Sequence, residues 1–224
     1  MRAVILFSGG LDSTTVLVNA LKKGYDVYPL TITYGQRHSI EISKSLLTLE
    51  KYDLKKKALS FNLDLSPYKN CSLINTNLQV PDQIEDKIPS TYVPSRNLIF
   101  LSIASGFAET LEAEKIFIGV NSVDYSGYPD CRPEFIKAMN QTLAVGTKQG
   151  VEGSLSIEAP LIDLSKKEII QLGMSIGVDY SLTHSCYSPT IDGKSCGKCD
   201  SCRLRLEGFV QAKFQDPLDY VRKI

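Results

Sequence analysis

The chain has no surplus of either charge: Lys plus Arg number 25, Asp plus Glu number 25, and the formal net charge is zero. A protein built to grip nucleic acid carries a basic excess, because its cations must replace the phosphates' counterions. Neutrality therefore argues against a direct nucleic-acid partner. Also missing is any stretch approaching the roughly 20 apolar residues of a membrane span. The opening apolar run, residues 3–7, is too short for the core of a secretory leader. A cytoplasmic protein without membrane contact is expected. No internal repeat, low-complexity tract or linker interrupts the chain, so residues 1–224 read as a single domain, and the 43% hydrophobic content suffices for one core. Histidines number 2 and cysteines 6. In a reducing compartment such cysteines point to metal ligands or reactive thiols rather than disulfides.

Short apolar runs alternate with stretches of helical spacing. Residues 3–7, 25–33, 58–63, 115–120 and 157–160 read as strands. Helices are expected from Asp12 or Ser13, as cap, to Lys23, with Val16, Leu17 and Ala20 inward and Gly24 as the stop. Others are expected over 39–50 (Ile42, Leu46 and Leu49 inward), 97–111, 133–145 (Pro133 in the first turn), from the Ser165–Glu168 capping box to Ile176, and over 202–214. Residues 64–95, rich in proline, read as loops around a possible short helix. This alternation predicts an α/β fold of Rossmann-like type: a parallel five-stranded sheet with helices on both faces.

Between the first strand and its helix runs Ser8-Gly9-Gly10-Leu11-Asp12-Ser13-Thr14-Thr15. Glycines let the backbone approach an oxyanion and take positive φ. The helix start offers free N–H groups and its positive dipole end, and Ser8, Ser13, Thr14 and Thr15 add hydroxyls. In open α/β sheets ligands bind at the carboxyl ends of the strands, where this loop falls. The dinucleotide fingerprint G-x-G-x-x-G does not occur. Gly193-Lys194-Ser195 imitates the end of a Walker A loop, but Ser188 stands where that loop needs glycine.

Cys186, Cys196, Cys199 and Cys202 are spaced C-x9-C-x2-C-x2-C. Four thiolates satisfy a tetrahedral Zn²⁺ and leave no open position, so one structural zinc per chain is expected, in a small C-terminal module over residues 183–214. An iron–sulfur cluster is the alternative, since C-x2-C-x2-C also opens ferredoxin runs, but those continue with C-x3-C-P and here Arg203-Leu204-Arg205-Leu206 follows. Cys131 reads as a small buried hydrophobe, Cys71 as inert, His184 as structural, and Lys55-Lys56-Lys57 as a solvated run.

The Ser8–Ser13 string resembles the PP-loop ATP pyrophosphatases, a family that includes GMP, NAD and asparagine synthetases and tRNA thiolation enzymes. Its members adenylate a carbonyl or carboxyl oxygen, release pyrophosphate and let a nucleophile displace AMP. Four further strings narrow the resemblance: Thr31-Ile32-Thr33-Tyr34-Gly35-Gln36-Arg37-His38, Tyr92-Val93-Pro94-Ser95-Arg96-Asn97, Gly119 to Pro133 with its Tyr128-Pro129-Asp130-Cys131-Arg132-Pro133, and Thr183-His184-Ser185-Cys186-Tyr187. With the cysteines they are similar, over essentially the whole chain, to the 7-cyano-7-deazaguanine synthase family of queuosine biosynthesis. The resemblance implies 7-carboxy-7-deazaguanine and ammonia as substrates, ATP with Mg²⁺, and a homodimer. It implies a nucleotide site at Phe7, Ser8, Gly9, Gly10, Leu11, Asp12, Ser13, Thr14, Thr15, Thr31, Tyr34, Gly35 and Gly119. Substrate contacts would come from Asn121, Tyr128 (stacking on the base), Asp130 (guanine edge) and Arg132 (carboxylate or phosphate), with Arg96, Asp130 and Arg132 serving catalysis. A PP-loop tRNA sulfurtransferase using Cys71 and Cys131, and a non-catalytic nucleotide-binding module, are the competing readings.

Overall fold

Short buried runs alternating with amphipathic ones should fold as strand and helix in turn. In the computed structural model, which describes residues 1–35, 40–81, 88–121 and 127–221, they do. The chain runs β1 (Arg2–Leu6), α1 (Leu11–Lys22), β2 (Asp26–Thr33), α2 (Ile40–Lys51), β3 (Leu59–Asn62), α3 (Arg96–Thr110), β4 (Lys115–Phe117), α4 (Pro133–Gly146), α5 (Lys148–Val151), β5 (Ser156–Glu158), α6 (Lys166–Ile176) and α7 (Asp200–Ala212). Single 3₁₀ turns occupy Pro129–Cys131 and Tyr180–Leu182. The sheet is five-stranded in the order β3-β2-β1-β4-β5, and every pairing is parallel. Among the described residues no helix is long and apolar enough to cross a membrane.

The two-residue period of β1 divides the core between two layers. Ala3, Ile5 and Phe7 join Val16 and Leu17 of α1, Ile169 and Ile170 of α6 and Phe209 of α7. Val4 and Leu6 face the other way, onto Leu101 and Ala104 of α3 and Met139 and Leu143 of α4. Burying each such large aliphatic side chain contributes roughly 1.5–3 kcal/mol. The connections leave β1 on one side through α1 to β2 and return on the other through α3 to β4. The strand order thus reverses at β1, and the crevice above it is where this fold binds ligands.

Several boundaries differ from the sequence reading, each for a local reason. The N-cap of α1 is Gly10, with no side-chain hydrogen bond, so neither Asp12 nor Ser13 caps it. Leu46 faces outward at 52% exposure, and α2 instead buries Ser45, Thr48 and Leu49. β4 ends at Phe117, although the Ile118 N–H still bonds the Glu158 carbonyl at 3.0 Å. α7 begins at Asp200, two residues before the expected Cys202, and ends at Ala212, where Lys213 turns to φ 61°. α5, capped by the Thr147 side chain, was not anticipated. The Ser165 capping box on α6 forms as read, with both reciprocal bonds. The described part of 64–95 holds turns, not a helix, and packs Leu65, Cys71, Leu73, Ile74 and Val93 into a cluster of its own. Gln36 to Ser39, which includes His38, and Ser122 to Ser126 lie outside the described residues.

Candidate active site

The loop after β1 is shaped by its glycines. Gly9 has φ +84°, and a Cβ there would lie 2.9 Å from both the Glu41 carbonyl oxygen and the Ser45 Cβ. α2 can rest on the loop only because position 9 lacks a side chain. Gly119, just past β4, meets the loop from the other side, where a Cβ would stand 3.1 Å from the Ser13 nitrogen. Inside the loop, Ser8 and Ser13 share a hydroxyl contact of 3.1 Å, and the Gly10 N–H donates to the Ser8 hydroxyl at 3.3 Å. The uncapped start of α1 adds its unsatisfied N–H groups and dipole. The local chemistry suits an oxyanion.

Two adjoining chambers open over this loop. The larger, about 290 Å³, is walled by Phe7, Ser8, Gly10, Leu11, Asp12 and Ser13, by Thr31 and Tyr34 at the end of β2, and by Glu41, Arg96 and Phe100. The smaller, about 160 Å³, is walled by Asn121, Tyr128, Cys131 and Lys166. Leu11, Asp12, Arg96, Gly119, Ser185, Tyr187 and Ser201 border both, so the two form one continuous cleft divided at the loop.

Arg96 reaches this divide from the first residue of α3, beside Tyr34, whose ring lies 5.6 Å from that of Phe100. Burial holds the Tyr34 hydroxyl above its ordinary range. Burial likewise pushes Glu41 up to about 7, against the pull of Arg96. Asp12 accepts both oxygens' worth of contact from Lys166, at 2.8 and 2.9 Å, a pair in which Lys166 is 11% exposed. Sequence reading missed Glu41 and Lys166. Lys166 is 154 residues from Asp12 and showed itself only as part of a capping box. Ser185, Tyr187 and Ser201 were missed as walls because they had been assigned to the cysteine module.

The other named residues divide. Thr31 donates its hydroxyl to the Phe7 carbonyl at 3.0 Å, tying β2 to the loop. Tyr128 is buried in the smaller chamber's wall, its hydroxyl 2.6 Å from that of Thr91 and its ring 5.8 Å from Tyr92. Thr14 is buried outside both walls, and Thr15 spends its hydroxyl on the Leu11 carbonyl and Tyr180. Gly35, at φ +80°, has open space around it and borders neither chamber. Asp130 is 6% exposed, and its carboxylate accepts the Asn97 backbone N–H at 3.0 Å while the Asn97 side chain donates to the Asp130 carbonyl. That carboxylate caps α3 and does not border the cleft. Arg132 is exposed at the start of α4, also outside the walls. Cys131 is buried, and that burial, with the Asp130 carboxylate beside it, pushes its thiol up to about 12. Cys71 is 1% exposed and sits in a different cluster.

The four cysteines meet as their spacing requires. Their sulfur atoms all lie within 4.8 Å of one another, and all four residues are buried. The Cys196 and Cys202 sulfurs are 3.9 Å apart, near the about 3.8 Å that two thiolates span across a tetrahedral ion with 2.3 Å bonds. Backbone N–H groups of Ser188 and Cys196 donate to the Cys186 sulfur at 3.3 and 3.2 Å, and that of Cys199 to the Cys196 sulfur at 3.4 Å. Such donors stabilise thiolate charge, so the set fits a metal ion. The module also walls the cleft: the His184 N–H donates to the Gly9 carbonyl at 3.1 Å.

A parallel sheet whose order reverses at a glycine loop, with a cleft at that point, defines an open α/β protein with its ligand site at the strand ends. Residues 2–213 match the family described as Queuosine biosynthesis protein QueC. The chain is 52% identical over 220 residues to the 7-cyano-7-deazaguanine synthase of Saccharophagus degradans, covering 98% of this chain and 97% of that protein. It is 50% identical over 227 residues to the enzyme of the same name from Syntrophotalea carbinolica, covering 100% and 98%. The NMN synthetase structure from Francisella tularensis shares the fold at a TM-score of 0.50 and 15% identity, over 95% of this chain and 77% of that one. The chain therefore belongs to the QueC family and is an enzyme of that ATP-dependent class.

Proposed function

We propose that this enzyme converts 7-carboxy-7-deazaguanine, ATP and ammonia to 7-cyano-7-deazaguanine. The observation that carries the reading is the cleft's division. One chamber has the oxyanion loop and the apolar strand ends, the other has Tyr128 and Asn121, and Arg96 stands at the border. Family membership supplies the substrate.

In this reading the adenosine of ATP lies over the ends of β1 and β2, along Thr31 and Tyr34, and its β- and γ-phosphates rest on Ser8 to Ser13. Mg²⁺ accompanies the phosphates, as is usual for ATP. The substrate carboxylate attacks the α-phosphorus from the smaller chamber, and pyrophosphate departs along the loop. Ammonia then attacks the acyl adenylate, loses a proton and displaces AMP, giving the amide. A second ATP adenylates the amide oxygen, and loss of AMP and the remaining protons on nitrogen leaves the nitrile. Arg96 and Lys166 face the charge that develops at the transferred phosphorus, where fixed cations in a water-poor site contribute most. Tyr128 and Asn121 hold the base. Asp130 acts at one remove, by fixing the start of α3 and so the guanidinium of Arg96. Arg132 is left without a direct contact to the substrate.

The cysteine set is read as one structural zinc per chain. A multi-iron cluster would ligate each thiolate to a different iron and spread the sulfurs farther than found here. The sulfurtransferase reading needs a reactive thiol, whereas the Cys131 thiol is held protonated at neutral pH. The protein is read as cytoplasmic, without a nucleic-acid partner, and as a homodimer. Incubating the protein with 7-carboxy-7-deazaguanine, ATP, Mg²⁺ and ammonium should yield the cyano product by mass spectrometry, with AMP and pyrophosphate. Absence of a product dependent on both ATP and ammonium sinks the reading.

A further inference from the structure

The metal module does more than close the end of the chain. Its approach segment and its helix hold the loop by separate routes. The Gly9 carbonyl accepts the His184 N–H. Tyr180 accepts or donates to Thr15 of α1 at 2.9 Å, and its ring occupies the space that Gly173 leaves open. Arg205 of α7 fixes the same segment, donating to the Tyr180 carbonyl at 3.1 Å and the Thr183 hydroxyl at 2.7 Å. Arg205 is itself locked by a bidentate pair with Asp216, both nearly inaccessible. The last route is the most direct. A Cβ at Gly208 of α7 would lie 2.6 Å from Lys166 Cγ and 3.0 Å from Lys166 Cβ. The groove at Gly208 therefore seats the stem of Lys166, whose ammonium grips Asp12 in the loop.

We propose that Gly208 is a positioning residue: α7, anchored by Cys199 and Cys202, holds Lys166 against Asp12, so that metal occupancy sets the loop's affinity for nucleotide. The metal ligands Cys196, Cys199 and Cys202 lie at the start of α7 or just before it, and Cys186 ends the segment that Arg205 holds. Losing the metal frees both at once. The stem atoms of Lys166 near Gly208 are too close to the backbone to swing aside without moving the ammonium. This inference rests on the larger chamber being the ATP site.

The test is calorimetric titration with Mg²⁺ and α,β-methylene-ATP, which cannot release pyrophosphate. Samples are the metal-loaded enzyme, metal-depleted enzyme, Gly208→Ala, Lys166→Ala and the double variant. Gly208→Ala should keep its metal content and far-ultraviolet circular dichroism, yet bind the analogue about tenfold more weakly. Its KM for ATP should rise, by more than any rise in the KM for the carboxylated base. The double variant should bind no worse than Lys166→Ala alone, since both act through one contact. Depleted enzyme should weaken at least as much and recover on adding zinc. Gly208→Ala binding the analogue as tightly as the loaded wild type overturns the inference, even if depletion unfolds the protein. A loaded wild type that binds no analogue instead overturns the ATP reading of the chamber.

Discussion

The two chambers of the cleft are built by different means. The larger has a floor made of backbone: the loop from Ser8 to Ser13, the turn at Gly119 and the end of β2 at Thr31, pressed together where side chains are missing, under walls that include Tyr34, Glu41, Arg96 and Phe100. The smaller is made of side chains from distant segments, with Tyr128 from the turn before α4, Lys166 from α6 and Tyr187 from the cysteine module. A backbone site depends on a few contiguous residues and tolerates almost no added volume. A side-chain site depends on which of several candidates points inward, and the Asp130 carboxylate turns to the start of α3.

The largest effect that follows is at Gly9. Alanine there would carry a Cβ 2.9 Å from the Glu41 carbonyl and take φ +84°, which costs about 1–3 kcal/mol in backbone strain alone. α2 and the loop must part, and a displacement near 1 Å at a reacting group costs about 100-fold in rate. Gly9→Ala should lower kcat/KM about 100-fold or more, chiefly through the KM for ATP. An active Gly9→Ala would break the claim that the floor of the larger chamber is a backbone site. Asp130→Ala comes next. Losing the cap on α3 should cost about 1–2 kcal/mol in chemical denaturation. Activity should drop about tenfold as Arg96 shifts, and the KM for the carboxylated base should change no more than that for ATP. A rise confined to the base would restore Asp130 to the guanine edge.

The legible part of the molecule follows the same division. The strand order and the loop were readable because periodicity and glycine content are local, and local rules govern a buried parallel strand or an oxyanion turn. The four cysteines were readable because residues able to share one metal ion sit at short, regular spacing, and their sulfurs do converge. The direction of the Asp130 side chain was not, since sequence places it in its turn but does not say which way a carboxylate points. Asp130 turns to the free N–H groups of α3, a demand visible only once α3 lies beside it. Lys166 and Gly208 were invisible for the complementary reason: their contact joins α6 to α7, and a glycine inside a helix does not say which side chain fills the space beside it.

Glu41 offers a smaller and pH-dependent probe of the larger chamber. Its folded value of about 7 lies above the ordinary 4.5, because burial disfavours the carboxylate more than Arg96 favours it. The folded state therefore holds the proton more tightly than the unfolded one. The associated stability is fully present below about pH 4.5 and is lost as pH rises through about 7, a change on the order of 3 kcal/mol. Thermal unfolding of Glu41→Gln should lack this fall between pH 5 and 7.5, while the wild type shows it. Identical profiles would mean that Glu41 is well solvated and that the chamber is wetter than described.

Arg132 should give the smallest effect, and it tests the outer limit of the side-chain chamber. The residue is exposed at the N-cap of α4 and borders neither chamber. Replacing an exposed cation of this kind normally changes stability by less than about 0.5 kcal/mol. Arg132→Ala should keep kcat/KM within about threefold if, as proposed, the base is held by groups inside the walls, since an exposed charge contributes little through water. The measurement is steady-state kinetics with the carboxylated base varied at saturating ATP. A KM for the base raised tenfold or more, with the KM for ATP unchanged, would place Arg132 on the substrate and extend the smaller chamber past Tyr128 toward the start of α4.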